Sequence, residues 1–173
     1  MRIILCDQAE SVVQAWEKYI IQPNVEIKLG NILNERADAI ISPGNSLGIM
    51  SGGIDLALRI FFGPLIEVKV QTAILARENV ADLGHLHVGC AVWVRTGYTH
   101  IPWLIYAPTM VEPVDVSKTH NAFRALSVAL GAARYLRLTS VLCPGLCSMN
   151  GGMDHDEMAR QMKAAIEHLM SRC

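Results

Sequence analysis

Short apolar, β-branched runs alternate with stretches of helical periodicity from one end of the chain to the other, and this alternation restricts the fold more than any other feature. The patterns predict strands at Ile3–Cys6, Val25–Leu29, Ala37–Ser42, Leu86–Val94, Trp103–Ala107 and Ser140–Cys143. Between them, helical spacing covers Ser11–Ile20, Ile54–Phe62, Leu65–Glu78, Ser117–Leu136 and Asp154–Met170. Asp154 with Glu157 three residues on reads as a capping box. Strands interleaved with helices imply an α/β fold in which helices cover a mixed central sheet. At 173 residues, with no repeat, linker or low-complexity tract, the expectation is one domain spanning 1–173.

Composition narrows the function. Hydrophobic residues make up 51% and charged residues 18%, which excludes intrinsic disorder. A net charge of -1 without basic clusters argues against a surface that coats nucleic acid or an anionic membrane. An anion bound here would have to be held by backbone and loops. The odd count of 5 cysteines does not form a secreted disulfide framework. The apolar run at the N-terminus is too short for a signal peptide and is cut by Asp7. No run of about 20 apolar residues exists to span a bilayer. The expected compartment is the cytoplasm.

Two buried-strand patterns end in glycine-rich loops that lead to helices. The first loop is Ser42 to Gly53 and the second Pro144 to Gly152. Open α/β sheets bind ligands at the carboxyl ends of their strands. Glycines let backbone N–H groups approach an anion, and a helix N-terminus adds unpaired donors and a favourable dipole. Two such loops converging would hold a diphosphate without any lysine or arginine. Neither loop is a nucleotide-triphosphate P-loop or a dinucleotide fingerprint.

Gly30-Asn31-Ile32, Asp38-Ala39-Ile40-Ile41, Ser42-Pro43-Gly44-Asn45, Ser51-Gly52-Gly53-Ile54-Asp55 and the loop Pro144–Gly152 stand in the order of the pocket elements of the macro domain, which the chain resembles. Ala107-Pro108-Thr109-Met110 with Pro113 and Asp115-Val116 is similar to a bacterial and phage-tail-associated branch. The resemblance implies a three-layer α/β/α macro domain that binds ADP-ribose or an ADP-ribosylated partner and needs no cofactor or metal. It implies that Asn45 contacts the distal ribose, and that Gly44, Gly52 and Gly53 close the first loop over ribose and diphosphate. Asn31 and Ile32 would meet adenine, and Cys147, Ser148, Met149, Asn150 and Gly151 would present N–H groups to the diphosphate. Val111 or Met153 would add an apolar wall. Asp55, ten residues after Asn45, has the spacing of macro domains that hydrolyse mono-ADP-ribose, where it orients water. A carboxylate at a helix start is expected to be ionised; a plain helix-start role is the alternative.

The pattern departs from the family at three places. Asn31 stands for an Asp, Ser51 for the first glycine of a triplet, and Cys147-Ser148-Met149 for Gly-Thr-Gly. A hydrolase, a non-catalytic reader and a phage-tail-type structural accessory that has lost the ligand therefore all stay open. His85 and His87 would share one strand face, as a start for zinc or as simple polar alternation. Cys143 and Cys147 are read as core and loop residues, and Trp16, Trp93 and Trp103 as core anchors.

Overall fold

Near-continuous apolar runs form strands covered on both faces, and the alternation of their side chains divides the interior in two. The computed structural model describes residues 1–76 and 84–171. Its elements are β1 (Arg2–Asp7), α1 (Glu10–Tyr19), β2 (Val25–Leu29), β3 (Ala39–Ser42), α2 (Gly53–Phe62), α3 (Leu65–Leu75), β4 (Val92–Arg95), β5 (Trp103–Tyr106), α4 (Asn121–Tyr135), β6 (Ser140–Cys143) and α5 (His155–Met170). The strands form one sheet in the order β2-β1-β6-β3-β5-β4. Every pair is parallel except β4 with β5, so the sheet is mixed only at that edge.

Ile3, Leu5, Ala39, Ile41, Ile105, Val141 and Cys143 point to one face, where α1, α4 and α5 supply Trp16, Leu126, Leu130, Met158 and Met162. Ile4, Cys6, Ile40, Leu104, Tyr106 and Leu142 point to the other, against Leu58 of α2 and Ile66, Val70 and Ile74 of α3. This is the period of two that a sheet imposes. The Trp16 side chain is fully buried and its Nε1–H faces Met162 Sδ at 3.3 Å. Asp154 caps α5, its Oδ1 accepting from Glu157 N at 3.1 Å.

Two boundaries differ by several residues from the expectations. The strand expected over Leu86–Val94 is Val92–Arg95 alone. Leu86 is buried, but its N–H donates to Ser46 O at 2.8 Å, and Gly89 turns the chain with φ of 96°, so 86–91 packs as a loop. His85 and His87 therefore precede the sheet, with ring centroids 4.8 Å apart. The helix expected from Ser117 starts at Asn121. Ser117 N bonds Asp115 Oδ1 at 2.7 Å and Thr119 Oγ1 bonds Val116 O at 2.7 Å, a local turn that competes with helix. Residues 77–78 of the stretch expected over Leu65–Glu78 lie outside the described residues, as does Cys173. No helix of the described residues is long and apolar enough to cross a membrane.

Trp16→Ala would open a large cavity between α1, α5 and the sheet. The expected loss is about 3–5 kcal/mol of stability, read from urea unfolding.

Candidate functional site

The parallel strands β1, β6, β3 and β5 all end on one side of the sheet, and the loops after them enclose a cleft of about 600 Å³. Ile32, Gly44, Asn45, Gly52, Gly53, Asp55 and Cys147 to Gly151 line it. Asn31 does not, because its side chain turns away to cap the 3-10 turn Ile32–Asn34, Oδ1 accepting from Leu33 N at 3.0 Å. Val111 is exposed and Met153 is buried in the core, so Met110 and Pro113 supply the apolar wall there. Among the described residues no lysine or arginine lines it, and the charged groups that do are the carboxyls of Asp7 and Asp55.

Asn45 folds the first loop on itself. Its Oδ1 accepts from Leu47 N at 3.0 Å and Ile49 N at 3.3 Å, and its Nδ2 donates to Ile49 O at 2.7 Å. Three of the amide's hydrogen-bonding positions are thus spent on the loop, and one Nδ2 hydrogen remains for a ligand. Met50 N donates to Glu67 Oε1 at 2.9 Å, which anchors the far end of the loop to α3, while Glu67 Oε2 pairs with Arg59 Nε at 3.0 Å. At the start of α2, the N–H groups of Gly53, Ile54 and Asp55 donate to no group among the described residues, as helix geometry dictates for a first turn.

The second loop turns sharply at a residue that is not glycine. Cys147 takes φ of 63°, a left-handed conformation that a residue with a Cβ adopts at a cost. Its thiol turns into the core, where burial pushes its pKa up to about 12 despite a hydrogen bond with Thr109. A protonated, buried thiol is no nucleophile. Cys147 O accepts from Met153 N at 3.0 Å, and Gly151 O from Val116 N at 2.9 Å. A Cβ at Gly151 would lie 2.6 Å from Cys147 O, so only glycine permits this fold-back. The N–H groups of Cys147 to Gly151 donate to nothing among the described residues. Ser148 Oγ is buried without a partner. The Asn150 amide nitrogen lies 3.4 Å from where a Gly53 Cβ would sit, so the two loops meet across the cleft.

Asp55 is not a solvated helix-start residue. It is buried, with Ser42 Oγ donating to Oδ1 and the Tyr106 hydroxyl 3.5 Å from Oδ2. Burial pushes its carboxyl up to about 6 against the opposing effect of those two partners, and the nearby Glu67 carboxylate adds to the rise. Tyr106 donates its one proton to Asn45 O at 2.9 Å. The same hydroxyl makes only a long contact, 3.5 Å, to Asp55 Oδ2, so it opposes the effect of burial on that carboxyl only weakly. Gly44 makes this cluster possible, since a Cβ there would overlap both the Tyr106 hydroxyl and Asp55 Oδ2. Ser42 and Thr109 stand in stretches singled out in the chain, but their spacing gave no sign that Ser42 and Tyr106 hold Asp55 or that Thr109 holds the first loop. Asp7 did leave a signal, as a carboxylate where β1 hands over to α1.

Gly44→Ala is expected to cost about 1–3 kcal/mol of stability by forcing this cluster apart, measurable by urea unfolding. Asp55 also sets a pH dependence. Between its ordinary value of 3.8 and about 6, the folded protein holds a proton that the unfolded chain has released. The contribution of Asp55 to stability is therefore full below pH 4 and is lost as pH rises through about 6. Asp55→Asn removes that loss, so the variant gains on the wild type between pH 4.5 and 7.5 in paired denaturation curves; a constant difference would contradict this.

Comparison with known proteins places this geometry. The Macro domain family model matches residues 41–162. An uncharacterized protein of Aeropyrum pernix is 32% identical over 146 residues, covering 84% of this chain and 72% of its own length. Among solved structures, the macrodomain of Mycobacterium tuberculosis DarG superposes with a TM-score of 0.66 at 25% identity, over 81% of this chain and 88% of that one. Thermosipho africanus DarTG in complex with ADP-ribose superposes with a TM-score of 0.63 at 14% identity, over 94% of this chain and 49% of that one. With one sheet between two layers of helices and a cleft walled by two glycine-bearing loops, the chain belongs to the macro domain family.

Proposed function

We propose that this protein binds ADP-ribose, free or attached to a partner, in the cleft at the strand ends. The observation that carries the reading is the pair of facing loops whose N–H groups, at Gly53–Asp55 and Cys147–Gly151, have no acceptor among the described residues. Such groups fit a diphosphate by hydrogen bonding and helix dipole alone, and no lysine or arginine is among the described residues of the cleft lining. Asn45 offers its remaining Nδ2 hydrogen to the distal ribose. The likeness to a neighbour solved with ADP-ribose supports the same ligand. Free thiols at Cys6, Cys90, Cys143 and Cys147 suit a reducing, cytoplasmic setting.

Hydrolysis of mono-ADP-ribose is the second reading, and Asp55 favours it. Its carboxyl lines the cleft and changes charge near pH 6, as a group that takes a proton from water should. Binding stands first because Ser42 and Tyr106 already engage the two carboxyl oxygens.

Calorimetric titration of ADP-ribose, with AMP and ribose 5-phosphate as controls, tests the proposal. The expected dissociation constant is micromolar, about -8 kcal/mol. No heat at millimolar ligand would refute binding and leave a structural, tail-type role. Gly53→Glu should abolish binding, because it sets bulk and negative charge beside the diphosphate at a residue whose φ is 55°. If the protein turns over a mono-ADP-ribosylated substrate, Asp55→Ala should remove turnover and spare most of the affinity; equal turnover by wild type and variant would exclude Asp55 from the chemistry.

A further inference from the structure

A helix whose outer side meets water carries polar residues there, and one that is apolar all round is covered on both sides. α1 and α5 obey the first rule. They turn Glu10, Gln14, Glu17 and Lys18, and Arg160, Glu167 and His168, outward. α2 and α3, on the other side of the sheet, do not. Their inner stripes, Leu58 and Phe62 and then Ile66, Val70 and Ile74, belong to the core on that side. Their outer residues are apolar as well: Leu56, Ile60, Leu65, Val68 and Leu75 are from 37% to 74% exposed. From this we infer that the outer face of α2 and α3 is an interface between two copies of this chain, related by a two-fold axis. The interface is separate from the cleft and does not depend on its ligand.

The spacing suits a helical partner surface. Leu65, Val68, Thr72 and Leu75 are all exposed and follow one another at intervals of 3, 4 and 3 residues. That repeat lets one helix seat its side chains between those of another. Leu56 and Ile60, one turn apart on α2, widen the stripe. The two helices present one surface, because Gly63-Pro64 joins them directly and Arg59 Nε pairs with Glu67 Oε2 at 3.0 Å.

Charge selects a second copy as the occupant. Across a two-fold axis a patch meets itself, so a face of one sign repels its own copy. Here Arg59 and Glu67 neutralise each other. Lys69 is the one charged residue among the exposed ones of α2 and α3, and its Nζ donates to Arg95 O at 2.9 Å. A neutral apolar stripe is complementary to itself and offers nothing to a partner chosen by opposite charge. The area agrees. The five side chains expose roughly 500 Å² of apolar surface, which matches a standard interface of roughly 800 Å² per partner that is a little over half apolar.

Sedimentation equilibrium of the full chain reads the mass directly. The wild type is expected at twice 19.0 kDa at micromolar concentration. Ile60→Glu and Val68→Glu each place a like charge against its copy near the axis, at positions already exposed in the folded chain. Each should raise the dissociation constant of the dimer at least about tenfold. Tyr135→Glu, equally exposed but on α4 across the sheet, should leave it unchanged. A wild type that stays at 19.0 kDa up to about 100 μM would overturn the inference, even if a different protein then occupied the face. A dimer that Ile60→Glu and Val68→Glu leave intact would overturn it too, because it would be built on another surface. So would a mass that climbs past two copies with concentration, since a two-fold contact closes at two. The wild-type mass needs no variant, and the two substitutions sit on different helices, so one variant that folds poorly leaves the other to decide.

Discussion

Thr109 ties the site together. Almost wholly buried after β5, it gives its N–H to Gly44 O at 3.0 Å and its hydroxyl to Pro43 O at 2.9 Å, which extends the β3–β5 pairing into the first loop. Its carbonyl accepts from Asn121 Nδ2 at 2.8 Å at the start of α4, and its hydroxyl also meets the Cys147 thiol of the second loop. One residue of a third strand's loop thus fixes both loops from beneath, and the two also meet at Gly53 and Asn150. Buried polar groups that are fully partnered make a rigid frame, and each broken bond leaves an unsatisfied group behind.

That rigidity matters because no lysine or arginine lies among the described residues that line the cleft. Backbone N–H groups are weak donors singly and effective when several are held at one point, with no reorganisation left to do on binding. The left-handed Cys147 carries strain that the surrounding packing must hold, and the missing Cβ at Gly151 leaves room for the loop to fold back. The core is the counterweight, since the Cys147 side chain is buried among residues that pack under α4 and α5. With a cysteine at 147, side-chain packing rather than backbone freedom holds the left-handed turn.

The buried acid beneath the first loop obeys a different rule. A carboxylate in the first turn of a helix is normally stabilised by the dipole and by water. Asp55 faces inward, into the space that Gly44 leaves, so desolvation outweighs its hydrogen bonds and its carboxyl rises to about 6. The same placement joins the floor of the cleft to the first loop, because Tyr106 touches both Asp55 and the Asn45 carbonyl.

The layers, the order of elements and the two loops were all legible in the chain. They depend on local periodicity, on the glycines at Gly44, Gly52, Gly53, Gly151 and Gly152, and on residues such as Asp154 that cap the next helix. Where short-range bonds compete with that periodicity, as at Ser117, Thr119 and Gly89, element boundaries shifted. The direction in which polar side chains turn was settled only by the folded arrangement. Asn31 and Asp55 look like ligand residues in the chain, yet one caps its own turn and the other is held by Ser42 and Tyr106. Asp7, Tyr106 and Thr109 carry no local signal strong enough to join them to loops tens of residues away. The reason is that a side chain's direction is set by partners brought together by strand order, and strand order here places β1 beside β6 and β3 beside β5, pairs far apart in the chain.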